Sequence, residues 1–250
     1  MATDIKGILA KMVKQVFGLK GMPATLDKAV TRAFYGKLWG AVTDGYGPLP
    51  AEVDYDTPDG AMINNLRNSV YHFSCAKNYQ QLKALTAALV DDKGKLLPWA
   101  EYKRAAALIN DKFVGQWLET ERDTAIACGQ MASKWLDIQA NKSTLTMLEF
   151  DAVNDNRTTQ LCKGFDGVIR PVDDNFWDVY YPPNHFKCRS TVRQRSDGKA
   201  TNLSRVAIPE KIPEMFKVNL AKQGLVFPKG HPYYEGMPDS MMLDKKTVIG

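Results

Sequence analysis

The chain has no run of about 18 consecutive apolar residues anywhere in its 250 positions, which on the usual criterion excludes a transmembrane helix. Its first twenty residues are apolar enough to suggest a signal peptide, but Lys6, Lys11 and Lys14 interrupt them before a hydrophobic region of useful length can build up. The expectation is a cytosolic chain with no membrane partner. Cysteine is scarce: Cys75, Cys128, Cys162 and Cys188 lie far apart, so reduced thiols or metal ligands are expected rather than a disulfide framework. Cys75 and Cys128 fall among helical apolar positions and read as buried small hydrophobes. Also missing are a Gly-rich phosphate loop, a nucleophile elbow, a helical metalloprotease motif and any motif that would read a nucleic-acid groove. Neither an internal repeat nor a low-complexity segment is present.

What remains has the balance of an ordinary globular protein, 44% hydrophobic and 24% charged, with enough length for one large or two small domains. The net charge of +5 is unevenly placed. Residues 151–186 carry six acidic and three basic groups, and residues 187–222 carry three acidic and nine basic. The basic stretch suits nucleic acid or an acidic protein surface; the plainer alternative is a face paired internally with the acidic stretch beside it.

Ile5, Ile8, Leu9, Met12, Val13, Val16 and Phe17 recur at helical spacing after a candidate cap at Thr3 or Asp4, so residues 4–18 read as a basic amphipathic helix. Such a helix packs on its own domain or docks on a partner. A second helix is expected over 25–43, followed by a Gly/Pro-rich linker from Asp44 to Pro50. Residues 59–90, 98–111 and 112–140 are helical in period, and Phe113, Trp117, Thr120, Thr124, Cys128, Met131 and Trp135 form a core stripe. After Asn141 the pattern changes to short strands and turns. The fold class is therefore α+β: an N-terminal helical arm (1–50), a helical bundle (51–142), a small β-rich knuckle (143–200) and an extended C-terminal tail (201–250).

The knuckle holds most of the chemistry-bearing residues. Asp166-Gly167 signals a tight turn between two strands, Pro182-Pro183 stiffens the approach to Asn184-His185, and Phe176, Trp177, Tyr180 and Tyr181 supply apolar area. His185 and Cys188 stand three apart and Cys162 returns across 22 intervening residues, giving three ligands for one metal. That is one short of a closed zinc site, with Asp155, Asp166 or water as the completing ligand. Three readings stay open: bound zinc, a metal-free packed knuckle without any cofactor, and a catalytic centre. Arg157 is expected to tie Asp155 or Asp173 to a turn. Lys187, Arg189, Arg193, Arg195 and Lys199 form a basic set for DNA or partner contact, with the three arginines on one strand face.

Taken together, Asp155, Arg157, Thr158, Cys162, Phe165-Asp166-Gly167, Trp177, Pro182-Pro183, His185 and Cys188-Arg189 resemble the signature of the phage head morphogenesis, or Mu F-like minor head, proteins. The likeness extends over about residues 65–235. It implies a non-enzymatic structural component of the virion head at or near the portal vertex, made in the host cytoplasm and present in multiple copies. Its implied partners are the phage portal protein, the major capsid protein and packaged DNA, and its implied roles are head assembly, DNA packaging or ejection. Many members of that family carry paired cysteines at both ends of the segment, where this chain has Thr159 and Ser190. That joint loss weakens the zinc reading and favours a packed knuckle. The competing readings are a metal-dependent or Cys/His enzyme of toxin-like hydrolase or transferase type, and a stand-alone nucleic-acid-binding module.

Overall fold

The computed structural model describes residues 5–206 and 212–249, so the candidate cap at Thr3 or Asp4 lies outside the described residues. The element order is α1 (Ile5–Leu19), α2 (Lys28–Tyr46), α3 (Pro58–Ala87), α4 (Trp99–Val114), α5 (Gln116–Asn141), β1 (Met147–Asp151), α6 (Gln160–Phe165), β2 (Ile169–Pro171), α7 (Phe176–Tyr180), β3 (Thr191–Arg195), α8 (Leu220–Gln223) and α9 (Lys245–Ile249). This is an α+β protein. No helix among the described residues is long and apolar enough to cross a membrane. The chain divides into two compact units, one of Met1–Trp39, Val70–Thr120 and His231–Gly250, the other of Gly40–Ser69 and Glu121–Gly230. These units interleave segments that composition alone groups in sequence order.

In the first unit α1 buries Leu9, Met12, Val13 and Val16, the stripe its spacing predicts, and leaves Lys6, Lys11 and Lys14 exposed. Phe17 packs on Trp99 and Tyr102 of α4 with ring centroids 5.0 and 5.3 Å away. Full burial of each such apolar side chain stabilises by about 1.5–3 kcal/mol. Two buried polar side chains of α3 tie it to its neighbours: Asn78 accepts from the Asp27 N–H at 2.9 Å, and Gln81 donates to Asn110 at 2.8 Å. Residues 231–244 run along α3 in short 3₁₀ turns joined by extended chain, ahead of α9. Tyr79 donates to the Gly236 carbonyl at 2.6 Å and Gln80 to those of Tyr233 and Glu235, while the Tyr71 hydroxyl donates to the Leu243 carbonyl.

The second unit holds an antiparallel sheet in the order β2-β1-β3. In β1 and β3 Leu148 pairs with Gln194 and Phe150 with Val192, so these four share one face; Leu148, Phe150 and Val192 are fully buried. Gln194 on that face donates to the Ile138 carbonyl of α5 at 3.0 Å, which turns the face toward α5. Two expectations fail here. The Gly/Pro stretch after residue 43 is not all linker, because α2 continues through Tyr46. Gly45 lies so close to α5 that an added Cβ would stand 2.0 Å from the Ile126 carbonyl oxygen, and one on Gly129 would stand 2.2 Å from that of Val42. The two glycines are there because the helix backbones touch. Nor does Asp166-Gly167 join two strands: it joins α6 to β2, with Gly167 at φ 72°, the left-handed conformation that glycine adopts without strain. The aromatic run from Phe176 to Tyr180 is likewise the short helix α7, whose rings pack on Phe165 of α6.

Candidate functional site

The knuckle is assembled from α6, the loop from Tyr181 to Ser190 and the outer face of the sheet. Thr159 caps α6, its hydroxyl accepting the Cys162 N–H, which fixes the first turn of the helix and places the Cys162 side chain beside the loop. Across from it, the Cys188 N–H donates to the His185 carbonyl at 3.3 Å. That turn brings two side chains three residues apart to the same side.

The loop itself is anchored on the second unit's own core. Tyr181 is fully buried, donates to the Met131 carbonyl at 3.1 Å and packs edge-on against Trp135 at 5.0 Å. Pro182-Pro183 is a cis peptide. Asn184, also fully buried, donates to the Tyr180 carbonyl at 3.1 Å, and the Lys187 N–H donates to Thr124 on α5 at 3.2 Å. Trp177 donates its indole N–H to the Pro171 carbonyl at 2.9 Å.

The structure brings Cys162, His185 and Cys188 together, with their ligand atoms all within 4.8 Å of one another. Cys162 Sγ is 3.2 Å from His185 Nε2 and 3.8 Å from Cys188 Sγ. His185 Nδ1 lies 2.8 Å from the Phe186 carbonyl oxygen, an acceptor only, so Nδ1 carries the proton and Nε2 presents its lone pair to the sulfurs. Thr159 Oγ1 is 3.2 Å from the same Nε2, and Ser190 lines the same recess, its hydroxyl lowering the pKa of both cysteines. The two hydroxyl residues standing where cysteines were expected therefore line the cluster. The hydrogen bond between the two sulfurs raises the Cys162 pKa, with burial acting in the same direction. The same hydrogen bond lowers that of Cys188 against the effect of burial. At 1% and 3% exposure the two sulfurs are shut away from solvent.

Asp155 and Asp166, the other candidate ligands, hold backbone instead. Asp155 accepts both guanidinium nitrogens of Arg189, at 2.5 and 2.7 Å, and the Arg157 N–H at 2.9 Å. Asp166 accepts the Ala152 N–H at 2.9 Å and the Asn154 amide at 2.6 Å, tying α6 to the end of β1. The guanidinium on Asp155 thus belongs to Arg189 and not to Arg157, and Asp173 is paired with Lys142.

Four of the five residues of the basic set stand in ion pairs. Arg193 pairs with Asp151 and Arg195 with Glu149, diagonal cross-strand contacts between β3 and β1, and Lys187 stands 3.5 Å from Asp123. Lys199 is exposed beyond β3. The carboxylates that offset the arginines come from β1, the 151–186 stretch and Asp197. Sequence reasoning missed Thr124, Met131 and Glu149 as supports of the site. Nothing local marks them, since Thr124 lies 63 residues and Met131 50 residues from the groups they hold.

Residues 100–193 match the family model for phage Mu protein F like protein. The chain carries a Mu F-like region. The match takes in α4, α5 and the knuckle as far as Arg193, less than half of the chain, and ends within the strand that closes the sheet. No curated protein and no solved structure matches the chain. The likeness of this region is to a family of phage head structure and morphogenesis.

Proposed function

We propose that this chain is a structural component of the virion head, seated in several copies at or near the portal vertex, where it contacts the portal protein and the major capsid protein. Its work there is head assembly and the packaging or ejection of DNA. The observation that carries the reading is the Mu F-like match over residues 100–193. The geometry supports it, because the residues of the signature are spent on holding shape. Asp155 is clamped by Arg189, Asp166 holds two donors, Trp177 and Tyr181 are hydrogen-bonded anchors, and the cysteines are buried, unlike reactive thiols, which are partly exposed.

Protein surfaces are the better partners than DNA, since the guanidinium charges of Arg189, Arg193 and Arg195 are already offset by Asp155, Asp151 and Glu149. The exposed lysines of α1 are available to an acidic partner face; the apolar stripe of that helix is covered by its own unit. Density for the intact particle, with pull-down of the cognate portal protein, tests the proposal. The chain should appear at the portal vertex and be captured by portal protein. Its absence from the particle, or a location evenly spread over the capsid shell, overturns the vertex assignment.

A further inference from the structure

Two thiols and an imidazole converge on one point beside a recess, and their spacing can be compared with what a metal would need. A tetrahedral zinc with Zn–S bonds of about 2.3 Å separates two of its sulfurs by about 3.8 Å, and with Zn–N of about 2.0–2.1 Å separates sulfur from nitrogen by about 3.5 Å. Cys162 and Cys188 present sulfurs 3.8 Å apart, and Cys162 Sγ lies 3.2 Å from His185 Nε2. Two edges of the tetrahedron are therefore already in place. His185 is oriented as a ligand as well, because its Nδ1–H is held by the Phe186 carbonyl and Nε2 is left as the donor atom, the outer-shell arrangement that metal-bound histidines use. The donor set is soft, and thiolate with imidazole selects zinc over magnesium or calcium.

The recess next to these atoms has room for about one water-sized sphere, roughly 10 Å³, and is lined by Thr159, Cys162, His185 and Ser190 among others. That is the least volume that admits a water. It marks a fourth position with hydroxyls, not thiolates, around it.

We infer that Cys162, His185 and Cys188 bind one zinc-class divalent cation, with the fourth position taken by water beside the Thr159 and Ser190 hydroxyls. Binding displaces the thiol protons of Cys162 and Cys188 and leaves two thiolates and a neutral imidazole on the metal. The ion then joins α6 to the 181–190 loop at the point where Asp155 and Arg189 join them from outside. Its place is structural, and it stands independently of where in the virion the chain sits.

The test uses the full-length chain, purified under reducing conditions, stripped with a chelator and titrated with Co²⁺ and then Zn²⁺. Co²⁺ should give a strong thiolate-to-metal absorption that saturates at about one ion per chain and is displaced by zinc. Cys162→Ser and Cys188→Ser should each lose that band. Where either variant fails to fold, Thr159→Cys serves instead: a fourth thiolate at the open vertex should slow chelator removal at least tenfold. Folded, reduced wild-type chain that shows no saturable thiolate band overturns the inference. So does a band that survives both serine substitutions, and so does a Thr159→Cys variant that releases metal as fast as wild type.

Discussion

Arg189 grips both carboxylate oxygens of Asp155, 34 residues earlier in the chain, at 2.5 and 2.7 Å. This fork closes the knuckle from outside, joining the turn that precedes α6 to the loop that delivers Cys188. A paired, charge-assisted contact of this kind fixes geometry as well as charge. The Arg189 guanidinium, helped by the Arg157 N–H, holds the Asp155 carboxyl well below the usual carboxylate range. A depressed folded-state pKa contributes stability that is present above the ordinary value of 3.8 and is lost as pH falls below it. Amide exchange of residues 155–162 and 185–190, taken relative to the intrinsic rate at each pH, should therefore stay slow at neutral pH and accelerate below about pH 4. Arg189→Lys, which keeps the charge but not the fork, should accelerate it at neutral pH too. Unchanged protection in Arg189→Lys would show that the fork does not latch the knuckle.

The close approach of α2 and α5 gives a second expectation. A methyl group at Gly45 or Gly129 meets a carbonyl oxygen of the other helix at 2.0 or 2.2 Å, far inside contact distance, and neither backbone can yield without moving its helix. Gly45→Ala and Gly129→Ala should each cost about 1–3 kcal/mol, the range for overpacking, and lower the thermal midpoint by several degrees. Alanine at the exposed Gly18, where nothing lies within 4 Å, is the control. It should be neutral or slightly stabilising, since alanine is the better helix former.

Tyr181 anchors the loop through two separable contacts, its hydroxyl on the Met131 carbonyl and its ring on Trp135. Tyr181→Phe removes only the first and should cost about 0.5–1.5 kcal/mol, with some addition for the carbonyl left unpaired. Tyr181→Leu removes both and should cost more. Urea midpoints would resolve the two, and equal losses would mean that the ring contributes nothing beyond the hydroxyl.

The helices were legible because their apolar spacing is long and regular: the α1 stripe from Leu9 to Val16 is buried as its period requires. Short elements were not. Residues 160–165 and 176–180 have too few turns to display a period; they are helical because Thr159 caps one and Phe165, Phe176 and Tyr180 pack as one cluster. At the site, Cys162, His185 and Cys188 were readable as a set from spacing alone. Their supports were not, because Arg189 could have met any of several carboxylates, and only the register of β1 with β3 assigns Glu149 to Arg195 and Asp151 to Arg193. Glycine at 45 read as a breaker in a Gly/Pro-rich stretch. Its actual role, admitting another helix backbone, has no local signal.

The last expectation concerns the first unit and a histidine outside the knuckle. His231 is 7% exposed, its ring lies edge-on to Phe73 at 4.8 Å, and its Nδ1 accepts the Tyr233 N–H at 3.1 Å, which requires that nitrogen to be unprotonated. Lys77, fully buried, stands over the rings of Phe34, Phe113 and Tyr233 at 5.1 to 5.3 Å. Burial, with the Lys77 charge adding to it, brings the His231 pKa down from 6.5 to about 4. Between those values the unfolded chain takes up a proton that the folded chain refuses, so stability falls as pH is lowered through that window. The slope approaches about 1.4 kcal/mol per pH unit for one such group. Denaturant midpoints at pH 7 and pH 5 should show the decline in the wild-type chain. In His231→Gln, which retains an acceptor for the Tyr233 N–H but cannot titrate, that share of the decline should vanish. An identical pH dependence in wild type and His231→Gln would mean that the ring is already protonated, or free to become so, in the folded protein, and that Lys77 and the burial around it do not act on this site.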